Sequence, residues 1–173
     1  MAIFVKPTVR NTKMNSGARI IIFAIVMFFY SFVQAQEFNR TAFYAALSTG
    51  DTSKINDQIA KISKLKTPHK EACTGVLMMR KAEMAKGLRS KLDLFKAGGT
   101  KLESAISKDK SNAEYRFFRL LIQENAPSIL NYDNNISEDA KIIKSNYSSM
   151  PPETQHAVMD YIKKSKVLKV TDF

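Results

Sequence analysis

Apolar residues along this 173-residue chain recur at intervals of three and four with polar residues between them, a spacing that predicts helices almost throughout. The exception comes first. Ile20 to Val33 is a 14-residue apolar run with Ser31 as its one small hydroxyl interruption. Lys6, Arg10, Lys13 and Arg19 precede it without an acid, and Val33-Gln34-Ala35 puts small residues where a signal peptidase cuts. At roughly 1.5 Å per residue the run rises about 21 Å, short of the ~30 Å hydrocarbon core, which argues against an uncleaved anchor. Residues 1–35 therefore read as a cleaved signal peptide, and 36–173 as a single helical domain. No Cys follows the run, which disfavours a lipid anchor.

In the remaining chain Phe38, Ala42 and Ala45 share a helical row, and Gly50 closes that helix. Asp51 or Ser53 caps the next, whose stripe is Ile55, Ile59, Ile62 and Leu65. Thr67-Pro68 predicts a restart, with Thr67 as the cap and Pro68 in the first helical position. Ala72, Val76 and Met79 then form one row, and Cys73, Leu77 and Met84 a second, up to Gly87. From Ser90 to Lys108 the row is Leu92, Phe95, Gly99, Leu102 and Ile106. Because Gly99 falls on that row, the Gly98-Gly99 pair reads as a close approach to a neighbour within a continuous helix.

Ser111 or Asn112 caps a helix that is apolar on nearly every side, which predicts a central position. Its polar stripe is narrow: Arg116, Arg119 and Gln123. Ser137 is the expected cap of a helix with Glu138 and Asp139 in its first turn and Ala140, Ile143 and Tyr147 inward. Pro151-Pro152 opens the last, with Val158, Tyr161 and Ile162 inward. No stretch alternates with period two between hairpin turns, so the fold class is all-α with about seven helices.

Charge changes the picture less than it first promises. The whole chain carries +11, but four basic residues belong to the leader, and residues 36–173 hold 23 basic against 16 acidic residues. The excess sits in residues 54–101, with 12 basic and 4 acidic residues, a segment that an anionic surface would attract. Few aromatics interleave those lysines, so bases have no stacking platform, and nucleic acid is not expected as a partner.

The candidate chemistry is sparse. One Cys excludes an internal disulfide framework and multi-Cys metal sites. His69 and Cys73 stand four apart on one helix face, a spacing open to a nucleophile–base pair, although Cys73 lies on an apolar row where a thiol serves as a small hydrophobe. His156 and Asp160, with Lys163, read as a solvated face. Phosphate-loop, zinc-protease, nucleophile-elbow and calcium-loop spacings are absent, and no metal or cofactor is expected. Arg116, Arg119 and Gln123 are the binding candidates. On a buried helix such groups either line a groove and receive a ligand carboxylate or pair internally, with Glu114, Glu124 or Asp133 as the available acids.

Phe95, Gly98, Leu102 and Ala105 carry an aromatic, a small, a large apolar and an Ala position at set spacings, and Asp109-Lys110-Ser111-Asn112-Ala113-Glu114 follows. This stretch, about 95–119, resembles the junction between tetratricopeptide repeats and their Asp-Pro-x-Asn-Ala-Glu linker, with Lys110 in place of Pro. The aromatic and Leu-Gly signatures of the preceding helix are missing between Ala72 and Gly87. The leader, KLESAISKDKSNAEYRFFRLLIQENAPSIL and PPETQHAVMDYIKKSKVL together resemble small secreted bacterial proteins of unassigned function.

The repeat resemblance implies stacked antiparallel helical hairpins that bind a protein or peptide. The expectation is thus an exported, periplasmic or extracellular, non-enzymatic binding or scaffold protein that meets the membrane transiently through its signal peptide. The alternatives are an exported enzyme or redox protein using His69 and Cys73, and adhesion through residues 54–101.

Overall fold

The computed structural model describes residues 38–173; the expected signal peptide and its cleavage site lie outside the described residues. Seven α-helices follow one another, and no strand occurs among the described residues. They are α1 (Arg40–Thr49), α2 (Thr52–Ser63), α3 (Lys70–Met84), α4 (Leu88–Lys108), α5 (Ala113–Gln123), α6 (Ile136–Asn146) and α7 (Pro152–Ile162). Short 3-10 turns stand at Ser128–Leu130, Tyr147–Ser149 and Val170–Asp172. Residues 38–173 pack as one compact unit.

Local chemistry sets most of the boundaries. Asn39 caps α1 by accepting from the Ala42 N–H, and Gly50 leaves it at φ 65°, in the left-handed region. Asp51 accepts from the Ser53 and Lys54 N–H groups to start α2, Asn112 accepts from Tyr115 N–H to start α5, and Pro152 opens α7. Two expected starts move. Thr67-Pro68 forms a turn ahead of α3, which begins at Lys70, while Thr67 Oγ1 accepts from His69 N–H at 3.4 Å. Asn135 precedes α6 where Ser137 was expected, and makes no side-chain cap bond.

The expected inner face of α1 is also corrected. Phe43, Ala46 and Leu47 are buried, Ala42 is half-buried and Ala45 is exposed. Phe38 lies before the helix, half-buried, with its ring 5.5 Å from that of Phe43. Phe43 also meets Phe118 of α5 at a ring separation of 5.3 Å.

α5 is central as expected, with every residue but Leu121 buried. α3 and α4 make the closest pair. Glu71 meets Lys101, Gly75 meets Gly98, and the Glu83 carbonyl meets Lys91, so partners run in opposite order along the two helices. α4 passes unbroken through Gly98-Gly99. Gly98, not Gly99, makes the close approach. A Cβ on Gly98 would stand 2.6 Å from Gly75 O and 2.7 Å from Met79 Cγ, whereas one on Gly99 would meet only Met79 Cε at 3.7 Å.

The tail after α7 folds back. Ser165 Oγ and Lys166 N–H donate to Glu124 at 2.8 and 2.6 Å, and Leu168 is buried.

Candidate functional site

The odd-numbered helices, together with Asn125 and Lys164 just past α5 and α7, enclose one groove of about 410 Å³. α1 contributes Tyr44, Ala45 and Leu47, α3 Arg80 and Glu83, α5 Phe117 and Leu121, and α7 the row Glu153, His156, Ala157, Asp160 and Tyr161. The floor is apolar and aromatic, with Phe117 edge-on to Tyr161 at 5.8 Å. The rim is charged. Arg80 pairs with Glu83 and donates to Leu47 O at 3.1 Å, and Lys163 holds Asp160 at 2.9 Å. Burial lifts Glu83 above the usual carboxylate range against the pull of Arg80 and Lys91. The Lys163 hydrogen bond and charge hold Asp160 below it. Rigid aromatic walls with a few polar groups around them form the kind of site that seats an apolar side chain and fixes its orientation.

Arg116 and Arg119 lie elsewhere, between α5 and α6. Both converge on Asp139, which is 0% exposed. Arg119 grips it with two bonds of 2.7 Å, Nε to Oδ2 and Nη2 to Oδ1, and reaches Glu103 at 2.8 Å. Arg116 donates to Asp139 at 3.0 Å and to the Lys110 carbonyl at 3.0 and 2.7 Å, and meets Glu138 at 3.2 Å. Burial alone would lower the Arg119 pKa, but Asp139 and Glu103 outweigh it and raise it. Paired, buried guanidinium groups of this kind hold helices together, because each charge meets one of opposite sign.

The acids expected to serve this stripe are corrected. Glu114 turns to α1 and α7, Glu124 takes the tail, and Asp133 is exposed. Asp139, in the first turn of α6, is the buried acid that both arginines share instead. Gln123, the third member of the stripe, donates from Nε2 to Asn135 at 3.4 Å, and its buried Oε1 has no partner among the described residues.

His69 and Cys73 belong to the surroundings of Glu114. This buried carboxylate accepts from Arg40 at 3.1 Å, Tyr44 at 2.9 Å and Thr154 at 2.7 Å. His69 lies 3.8 Å from it, with Tyr115 OH 3.1 Å from Nδ1 and Arg40 Nη2 3.4 Å from Nε2. Burial, aided by the Arg40 charge, lowers the His69 pKa despite Glu114. Cys73 is fully buried, and burial followed by the Glu114 charge pushes its thiol well above the ordinary range. A thiol so placed is a poor nucleophile, since the thiolate is the reactive form.

In the basic segment Lys61, Arg80, Arg89 and Lys101 pair with Asp57, Glu83, Asp93 and Glu71. All four acids of residues 54–101 are thereby matched, and eight of the twelve cations meet no carboxylate among the described residues.

No protein-family model matches the chain, and neither does any curated protein or solved structure.

The sequence reading missed the groove. The one local signal was the row at Glu153, His156 and Asp160 on α7, continued by Lys164 just past it, which resembles any solvated helix face until three other helices stand opposite it.

Proposed function

We propose that this protein is an exported, non-enzymatic helical binding protein whose α1–α3–α5–α7 groove holds a short peptide segment of a partner protein by an apolar or aromatic side chain. The observation that carries the reading is the groove itself, in which alternate helices supply one concave wall. Such alternation is what stacked antiparallel hairpins produce, each pair turning one helix inward and one outward. The inverted order of contacts along α3 and α4 supports the same arrangement. Export rests on the leader pattern of residues 1–35, and with it the periplasmic or extracellular location. Binding without catalysis agrees with the inert setting of Cys73.

A displayed random-peptide library selected against the protein tests this. Peptides with an apolar anchor should be enriched. They should bind Ala45→Trp at least about tenfold more weakly, a loss of about 1.4 kcal/mol. Ala45 is exposed on the groove wall, so the melting temperature should stay unchanged. The reading fails if no peptide is enriched, or if the selected peptides ignore the substitution. In the same preparation, protein taken from the exported fraction should begin at Gln36.

A further inference from the structure

The groove leaves one conspicuous surface unused, the outer side of the α3–α4 turn. Leu88, the first residue of α4, is 74% exposed, the most exposed leucine of the described residues. It stands between Lys86 and Arg89, and with Met78, Leu94 and Ala97 it lines a shallow hollow facing away from the core. Met78 and Leu94 are half-buried without packing against the core cluster, so the hollow is an apolar surface of its own. The chain around this turn carries Lys81, Lys86, Arg89 and Lys91; Arg89 pairs with Asp93, which also lines the hollow, while Lys81, Lys86 and Lys91 meet no carboxylate among the described residues.

Cations alone would serve any polyanion. The protruding leucine narrows the choice, because a soluble anionic polymer offers it nothing apolar to enter. A lipid surface offers both layers: anionic headgroups for the lysines, and the acyl boundary a few ångströms deeper for the leucine. Lysine and arginine stems suit that depth, since their methylenes lie along apolar material while the charged ends stay at the headgroups.

We infer that the α3–α4 turn docks this protein on an anionic phospholipid membrane, with Leu88 inserted into the headgroup–acyl boundary and Lys86 and the neighbouring basic surface on the lipid phosphates. This contact is additional to the transient one expected of the leader. It is also separate from the peptide groove, so either can fail without the other.

The chain contains no Trp, so Leu88→Trp in the full chain places a single fluorophore at the point of contact. Its emission should shift to the blue with phosphatidylcholine–phosphatidylglycerol vesicles and stay unchanged with phosphatidylcholine alone. Binding of the unlabelled chain should fall about tenfold or more in Leu88→Ser, the effect of withdrawing one leucine from an apolar layer. It should fall about fivefold in Lys86→Gln. Vesicles that bind the chain without moving the Trp emission would show that the leader alone attaches it, and would overturn the inference. So would Leu88→Ser binding as tightly as the parent, the result expected if heparin or another soluble polyanion were the partner.

Discussion

Two helix pairs in this protein are joined by opposite means. α3 and α4 meet backbone to backbone at Gly75 and Gly98, with apolar residues on either side and ion pairs only at the margins. α5 and α6 are joined by charge: two arginines on one helix share a fully buried aspartate on the other. The first contact tolerates no added atom, and the second no missing one. A close-packed interface fails when a side chain is forced into it, whereas a buried ionic interface fails when one partner is removed and the other charges are left in low dielectric.

The largest effect should come from the ionic pair. Asp139→Asn removes the one fully buried acid and leaves Arg116 and Arg119 with the more exposed Glu138 and Glu103, which should cost about 3–5 kcal/mol in urea denaturation. That is a large part of the ~5–15 kcal/mol typical of a whole domain. The triple variant Asp139→Leu, Arg116→Met, Arg119→Met should recover most of that stability, since apolar residues of similar volume replace buried ions at little cost. If the single change is harmless, or the triple is worse than the single, charge is not what joins these helices.

The glycine pair should respond next, and in two directions. Gly98→Ala should destabilise by about 1–3 kcal/mol, because the new methyl meets a backbone carbonyl. Gly99→Ala, one residue along, should be neutral or stabilising by up to about 1 kcal/mol through helix propensity. Equal effects at both positions would show that the close approach does not limit packing.

The smallest effect concerns His69, which faces Glu114, Arg40 and Tyr115, with the charge of Asp109 nearby. Its pKa is lower folded than unfolded, so below the unfolded value of about 6.5 the unfolded chain binds the extra proton. Stability should therefore decline as pH falls through about 6.5 and level off below the folded pKa. His69→Gln should reduce the difference in stability between about pH 7.5 and pH 5.5. An identical pH profile in the variant would remove His69 as its source.

The contrast between the two pairs also explains which features were legible in the sequence. The caps at Gly50, Asp51 and Asn112, the continuity of α4 and the central place of α5 depend on residues within a turn or two of one another. A glycine on an apolar row announces a close neighbour, though the row itself could not separate Gly98 from Gly99. The inner face of α1 was misjudged because alanine fits buried and exposed positions alike, and Phe43 was the better guide. Asp139 was hidden for a different reason. In the first turn of a helix, an acid that compensates the dipole and an acid that receives two arginines look the same until the partner helix is in place. The groove was less legible still, because four separate helices each contribute a few residues to it.

Glu114 extends that contrast into the order of assembly. Its bonds reach Arg40 and Tyr44, 74 and 70 residues back, and Thr154, 40 residues ahead, while Tyr44 and Thr154 themselves touch across 110 positions. Contacts so distant along the chain close the longest loops and reward the chain only after nearer pairs such as α3–α4 have formed. This carboxylate therefore acts as the clasp of the fold, closing late and joining α1 to α7. Tyr44 is also a wall of the groove, so hydrogen exchange that reports release of this clasp should report opening of the groove with it.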